Sequence, residues 1–289
     1  MMKSFLKSGD KIGIISCSNG LSRKNKDIIE IIRDDLKNLN IEIVEAETLY
    51  AKKHNLFSGT GKERAEALEK LFLDNEIKMV FDVSGGDLAN EVLEFLDFEL
   101  IKNNSKPFFG YSDLTVLLNS IYSQAGVETY NYQLRNLAGI YKEQQLNNFK
   151  NTFLKGKNDL FNIDYNWIRG ESLEGIVIGG NIRCFLKLAG TKYMPSFKGK
   201  ILFLESFSGN TAKMITYLTQ YNNMGAFDEV KGIILGEFTE MEREAYTPSI
   251  IDLVKDILGE RKIPIIKTGD LGHGADAKCI PIGKYLSFK

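Results

Sequence analysis

Two histidines and one tryptophan are all that the 289 residues carry of these types. Chemistry that needs an imidazole must use His54 or His273, and a zinc site built from several histidines is excluded. The three cysteines, Cys17, Cys184 and Cys279, are odd in number, far apart, and form no C-x-x-C pair. That excludes a disulfide framework, and they are expected as reduced, partly buried thiols. Charge of one sign is not in excess either. Thirty-seven basic against 38 acidic residues give a formal net charge of -1, so a nucleic-acid partner is not expected. No apolar run approaches the length that spans a bilayer, so no membrane partner is expected. Residues 1–11 lack the apolar stretch and cleavage site of a secretory leader, which makes the cytoplasm the expected location. There is no internal repeat and no low-complexity tract. What is present, 43% hydrophobic and 26% charged residues, suits a full core in one large or two moderate domains.

The first half alternates strand and helix signals. Strands are expected at 11–16, 41–46, 78–83 and 107–110. Helices are expected at 26–39, where Ile28, Ile31, Ile32, Leu36 and Leu39 repeat at helical spacing, and at 63–75 and 90–96. Such alternation indicates an α/β fold with a parallel sheet. Parallel sheets bind ligands beyond the carboxyl ends of their strands. Ser16-Cys17-Ser18, Gly85-Gly86 and Ser112 all fall at ends of that kind. The polar stretch 147–167 is expected to connect an N-terminal domain, 1–146, to a C-terminal domain, 168–289. In the second half, strands are expected at 174–178, 200–204, 230–235 and 263–267. Helices are expected at 182–188, 212–222 and 250–258, and the tail returns at 280–288.

Ser112 lies between an apolar strand ending at Gly110 and a helix beginning at about Asp113. A serine on a sharp strand-to-helix turn holds its hydroxyl out of the sheet. Free N–H groups of the helix's first turn can face an oxyanion there. The plainer alternative is a turn with Asp113 as the helix N-cap. Glu205 directly follows the apolar run Ile201-Leu202-Phe203-Leu204, and His273 sits in the loop Gly272-His273-Gly274. Each alone is an ordinary loop residue. Together, the order serine, glutamate, histidine is that of serine hydrolases built on an α/β sheet. A serine hydroxyl needs an imidazole to take its proton, and the imidazole needs a carboxylate to fix its tautomer. His54, in Lys53-His54-Asn55, has the character of a surface residue.

The sequence resembles the LD-carboxypeptidase family of serine peptidases, which includes muropeptide LD-carboxypeptidases and microcin C immunity peptidases. The resemblance runs from Asp10 to Gly283. It is carried by Gly59-Thr60 with Arg64-Ala65, Gly85-Gly86, Gly110-Tyr111-Ser112-Asp113 and Gly179-Gly180-Asn181. Leu202-Phe203-Leu204-Glu205, Gly272-His273 and Pro281-Ile282-Gly283 complete it. It implies an N-terminal parallel-sheet domain like class I glutamine amidotransferases, a smaller β-rich mixed α/β C-terminal domain, and a site between them. It further implies Ser112 as nucleophile, His273 as base and Glu205 as its partner. The Gly86 and Asp113 amides would form the oxyanion hole, and Gly85, Gly180 and Asn181 would contact substrate.

The implied substrate is a small peptide or peptide-nucleotide conjugate, with no cofactor and no metal, and family members often pair as homodimers. Release of D-alanine from a murein tetrapeptide is the main reading. Cleavage of an aminoacyl-nucleotide conjugate and a catalytically silent binding protein are the alternatives. Ser84-Gly85-Gly86-Asp87 stands where many muropeptide members have Arg-Gly-Gly-Tyr, and this opening is closer to the microcin branch. Tyr132-Gln133 replaces the family's Gly-Pro.

Three further features have plainer readings. Gly59-Thr60-Gly61-Lys62 lacks the spacing of a phosphate loop. Trp167 is expected to pack at a domain edge rather than stack on substrate, and Cys17 to be a spectator near the cleft.

Overall fold

The computed structural model describes residues 4–52 and 57–289, so His54 lies outside the described residues. Among the described residues, twelve strands form two six-stranded sheets. The first contains β1 (Lys11–Ile15), β2 (Glu42–Glu45), β3 (Ile77–Asp82), β4 (Phe108–Gly110) and β5 (Thr129–Asn131). These five are parallel, and β11 (Ile280–Ile282) returns from the end of the chain to pair antiparallel with β5. The second sheet contains β6 (Asn166–Arg169), β7 (Leu173–Asn181), β8 (Lys200–Ser206), β9 (Gly232–Phe238), β10 (Ile265–Lys267) and β12 (Tyr285–Phe288). Strands β7 to β10 run parallel, flanked by antiparallel β12 and β6.

Alternation along the strands explains the layers. Ile12 and Ile14 of β1, Phe81 of β3 and Phe109 of β4 enter one apolar cluster. Ile15, Val80 and Phe108 of the same strands point to the other. The helix Lys26–Asn38 covers the first face through Ile29, Ile32 and Leu36. Its buried stripe is therefore centred on Ile29, while Ile31 is exposed. The helices Gly61–Leu73 and Thr115–Ala125 cover the second face. Both faces are buried, as a parallel sheet with crossover helices requires. That second cluster runs without a break into the second sheet, joining Leu117 and Ile121 to Val177, Ile201 and Ile233.

Several local expectations change. Residues 89–95 form a 3-10 helix, not an α-helix. Strand β7 continues through Gly179 and Gly180 to Asn181 because both glycines take positive φ beside tightly packed neighbours. The stretch 147–167 joins the two sheets but is no loose tether. Phe149, Phe153 and Leu160 are buried against the first sheet, and β6 begins at Asn166. All three cysteines are fully buried, beyond the partial burial expected. At Gly59-Thr60-Gly61-Lys62, Thr60 and Glu63 form a reciprocal capping box that starts the following helix.

Candidate active site

The carboxyl ends of β1, β3, β4 and β5 surround a cleft of about 400 Å³, within the usual range for small-ligand sites. Ser84, Gly85, Gly86, Ser112 and Arg135 line it from the first sheet's side, and Phe207 and His273 from the second's.

A single intervening residue, Tyr111, separates β4 from Ser112. Its φ is +55°, a left-handed conformation held by a non-glycine residue. The strain is of order 1–3 kcal/mol and persists only where packing enforces it. The enforcement comes from the turn. Gly110 lies so near Leu114 that a Cβ there would stand 2.7 Å from the leucine Cβ. A short 3-10 turn, Ser112–Leu114, then leads into the helix Thr115–Ala125. Asp113 does not cap this helix. Its buried carboxylate accepts from Ser18 Oγ at 2.6 Å, from the Ala89 N–H at 2.9 Å and from Lys187 Nζ at 2.5 Å. The side chain thus locks three segments while the Asp113 backbone N–H stays at the turn. Among the described residues, neither the Asp113 nor the Gly86 amide donates a hydrogen bond within the chain. Gly86 has φ +124°, and a Cβ there would collide with the Asn19 side chain at 2.2 Å.

Glu205 ends the apolar run of β8 and is 1% exposed. Its Oε2 accepts from His273 Nδ1 at 2.7 Å. A carboxylate accepts only, so it fixes the proton on Nδ1 and leaves Nε2 as the ring's basic nitrogen. Nε2 is buried and has no partner among the described residues. Tyr111 and Phe207 flank the ring, with centroids 4.9 Å and 5.1 Å away. The loop bearing His273 is tied to both halves. The Glu237 N–H donates to Leu271 O at 2.7 Å, and Asn136 Nδ2 donates to Gly274 O at 3.3 Å. The arrangement offers an unpartnered basic nitrogen, a hydroxyl on a strained turn, and two unused amides around one cleft. Those are the components of acyl transfer.

Gly180 and Asn181, expected to contact substrate, stand behind Ser112 and are not among the residues that line the cleft. Gly180 lets the sheet approach the helix behind Ser112, since a Cβ would meet Thr115 Oγ1 at 2.6 Å. Asn181 caps the helix Ile182–Phe185, accepting from the Cys184 N–H at 3.2 Å, and its own N–H donates to Thr115 Oγ1. Trp167 packs on edge strand β6 against Tyr165. Burial pushes the Cys17 thiol well above its usual range, so it stays protonated. Residues not foreseen are Tyr111, Phe207 and Arg135. Only the Tyr132-Gln133 departure pointed near the last.

Models of the LD-carboxypeptidase N-terminal and C-terminal domains match residues 12–132 and 174–288. The chain belongs to the LD-carboxypeptidase family. It is a hydrolase of that family, with the family's two-domain α/β fold. Across 98% of the chain it is 28% identical to a putative carboxypeptidase of Treponema pallidum, covering 90% of that protein. It is 27% identical to the microcin C7 self-immunity protein MccF of Escherichia coli, over 96% of this chain and 90% of that one. A probable murein peptide carboxypeptidase of Bacillus subtilis is 25% identical over 96% of this chain and 88% of its own. Among solved structures, MccF in complex with aspartyl sulfamoyl adenosine superposes with TM-score 0.86 at 23% identity, covering 99% and 95% of the two chains. An MccF-like protein from Bacillus anthracis superposes with TM-score 0.82 at 27% identity and the same coverage. Among the described residues, no helix of this LD-carboxypeptidase family member is long and apolar enough to cross a membrane.

Proposed function

We propose that this chain is a serine carboxypeptidase that hydrolyses the L,D-peptide bond of a murein tetrapeptide and releases terminal D-alanine. The carrying observation is the Glu205–His273 hydrogen bond of 2.7 Å, facing the same cleft as Ser112. In the proposed sequence, His273 Nε2 takes the Ser112 proton and Oγ attacks the scissile carbonyl carbon. The Gly86 and Asp113 amides hold the resulting oxyanion. Collapse of this intermediate breaks the C–N bond, and the protonated His273 gives its proton to the leaving amine. Water, deprotonated by His273, then cleaves the acyl-enzyme and restores Ser112. Glu205 stabilises the charged imidazole throughout. Gly85 gives the neighbouring backbone open access to substrate, since nothing lies within 4 Å of its absent Cβ. The same reading takes 1–146 as the domain of the nucleophile, 168–289 as the domain of Glu205 and His273, and the cytoplasm as the location. It also takes the working form as a homodimer.

A second reading is a microcin C-type immunity peptidase acting on an aminoacyl-nucleotide conjugate. The Ser84-Gly85-Gly86 opening at the cleft and the 27% identity to MccF favour it. Purified protein is incubated with a murein tetrapeptide and, separately, with an aminoacyl sulfamoyl-adenylate, and products are weighed by mass spectrometry. Released D-alanine supports the first reading and released amino acid the second. Ser112→Ala is expected to abolish either reaction while leaving the circular dichroism spectrum unchanged. Full activity in that variant removes Ser112 from the mechanism.

A further inference from the structure

We propose that Arg135 is the anchor for the substrate's free carboxylate, which would make it the residue that restricts this site to chain ends. The inference rests on the peptidase reading above and adds to it the group that selects the substrate.

Arg135 belongs to the 3-10 turn Leu134–Ala138, which begins just beyond β5 and so stands next to the end of β4 that carries Ser112. Gln133 shapes this turn, its Oε1 accepting from the Arg135 N–H at 3.1 Å. That is where the family's Gly-Pro gives way to Tyr132-Gln133. The guanidinium reaches back over Tyr111. Its Nη2 donates to the Tyr111 hydroxyl at 2.8 Å, and its carbon lies 6.0 Å from the ring centroid. Tyr111 in turn packs against His273. Arg135 is therefore held rigidly over the residue before Ser112 and lines the same cleft as the serine.

Its charge is unanswered. Among the described residues its side chain has one polar contact, the neutral tyrosine hydroxyl, and its Nε is enclosed without a partner. Among the described residues, no aspartate or glutamate lines the cleft, and Arg135 is the only Lys or Arg that does. A partly desolvated cation without a counter-charge is costly to keep. A carboxylate delivered by substrate would supply the missing charge through charge-assisted hydrogen bonds, for which a planar guanidinium is well suited. In a peptide ending beside the scissile bond, that carboxylate is only a few covalent bonds from the carbonyl Ser112 would attack. An amidated or extended peptide would bring no such charge and would leave the half-buried Arg135 facing a neutral group.

The probes are a murein tetrapeptide ending in D-alanine and the same peptide ending in D-alaninamide. Calorimetric binding to the Ser112→Ala protein is expected to favour the acid by about ten- to a hundredfold, the range of hydrogen bonds to charged groups. Adding Arg135→Gln should erase that preference while leaving affinity for the amide unchanged, and Arg135→Lys should restore part of it. A merely structural arginine would weaken both peptides alike. Equal affinity for acid and amide, no binding of either, or a preference that survives Arg135→Gln overturns the assignment. Hydrolysis persisting in the Ser112→Ala protein would instead sink the nucleophile reading and leave the acid-over-amide preference intact.

Discussion

At Glu205 the environment sets both cost and use. The carboxylate is almost wholly enclosed, with Oε2 on His273 and Oε1 without a partner among the described residues. A group so placed gains most when the imidazole beside it becomes charged. Glu205→Gln keeps the shape but loses the charge and the tautomer control. It should lower kcat by about ten-thousandfold with little change in substrate binding. Single-turnover kinetics would read this, and an unchanged rate would exclude Glu205 from the mechanism. Asp82, at the end of β3, is also buried. Burial pushes its carboxyl up to about 6, against hydrogen bonds from Ser84 and the Cys17 N–H. The folded state therefore binds this proton more tightly than the unfolded chain does. The associated stability is full below the unfolded value near 4 and is lost as pH rises through about 6. Urea unfolding between pH 4 and 7 should show that decline in the native protein and a flatter profile in Asp82→Asn. Parallel profiles would remove Asp82 as its source.

Elements carry the site unevenly. Ser112, Glu205 and His273 could be read from the chain because each follows an apolar strand or sits between glycines, which are local patterns. Arg135 could not, because its place depends on β5. Three residues, Thr129–Asn131, are too short to show a period, and only pairing with β4 and β11 defines them. Gly179-Gly180-Asn181 is the opposite case. The motif is local and conspicuous, but its work is to let β7 lie close to the helix behind Ser112. The turn Leu186–Leu188 shows what sequence hides. Its Lys187 crosses from the second half to grip the buried Asp113 carboxylate at 2.5 Å and the Asp87 carbonyl at 2.8 Å. Both partners flank the amides proposed for the oxyanion. Lys187→Met would leave Asp113 buried and short of its cation, and should destabilise the fold by about 3 kcal/mol. Denaturant titration measures the loss, and a change below about 0.5 kcal/mol would mean that Ser18 and the Ala89 N–H suffice.

At the scale of the whole molecule, the two sheets are poorly described as separate bodies. One apolar cluster spans both, and the chain visits the first sheet again through β11 after building most of the second. They should unfold together. Trp167, the single tryptophan, sits on the second sheet's edge and reports that half, whereas far-ultraviolet circular dichroism reports both. Coincident urea transitions by the two signals are expected, and a separated fluorescence transition would reveal independent domains. The alternating strands and helices made the first sheet legible in the sequence. The tail's return at 280–288 was legible, but not its joining the first sheet, because nothing in Ile280-Pro281-Ile282 names the distant strand it pairs with.

That late return has a consequence for biosynthesis. A ribosome that has made the whole of the first half has still not supplied the edge that closes it, and His273 emerges only shortly before that edge. The nascent polypeptide thus acquires its imidazole and, only a few residues later, the strand that covers the β5 edge. A chain interrupted before His273 lacks the imidazole that the proposed mechanism needs and leaves the β5 edge unpaired, a template for pairing with other chains.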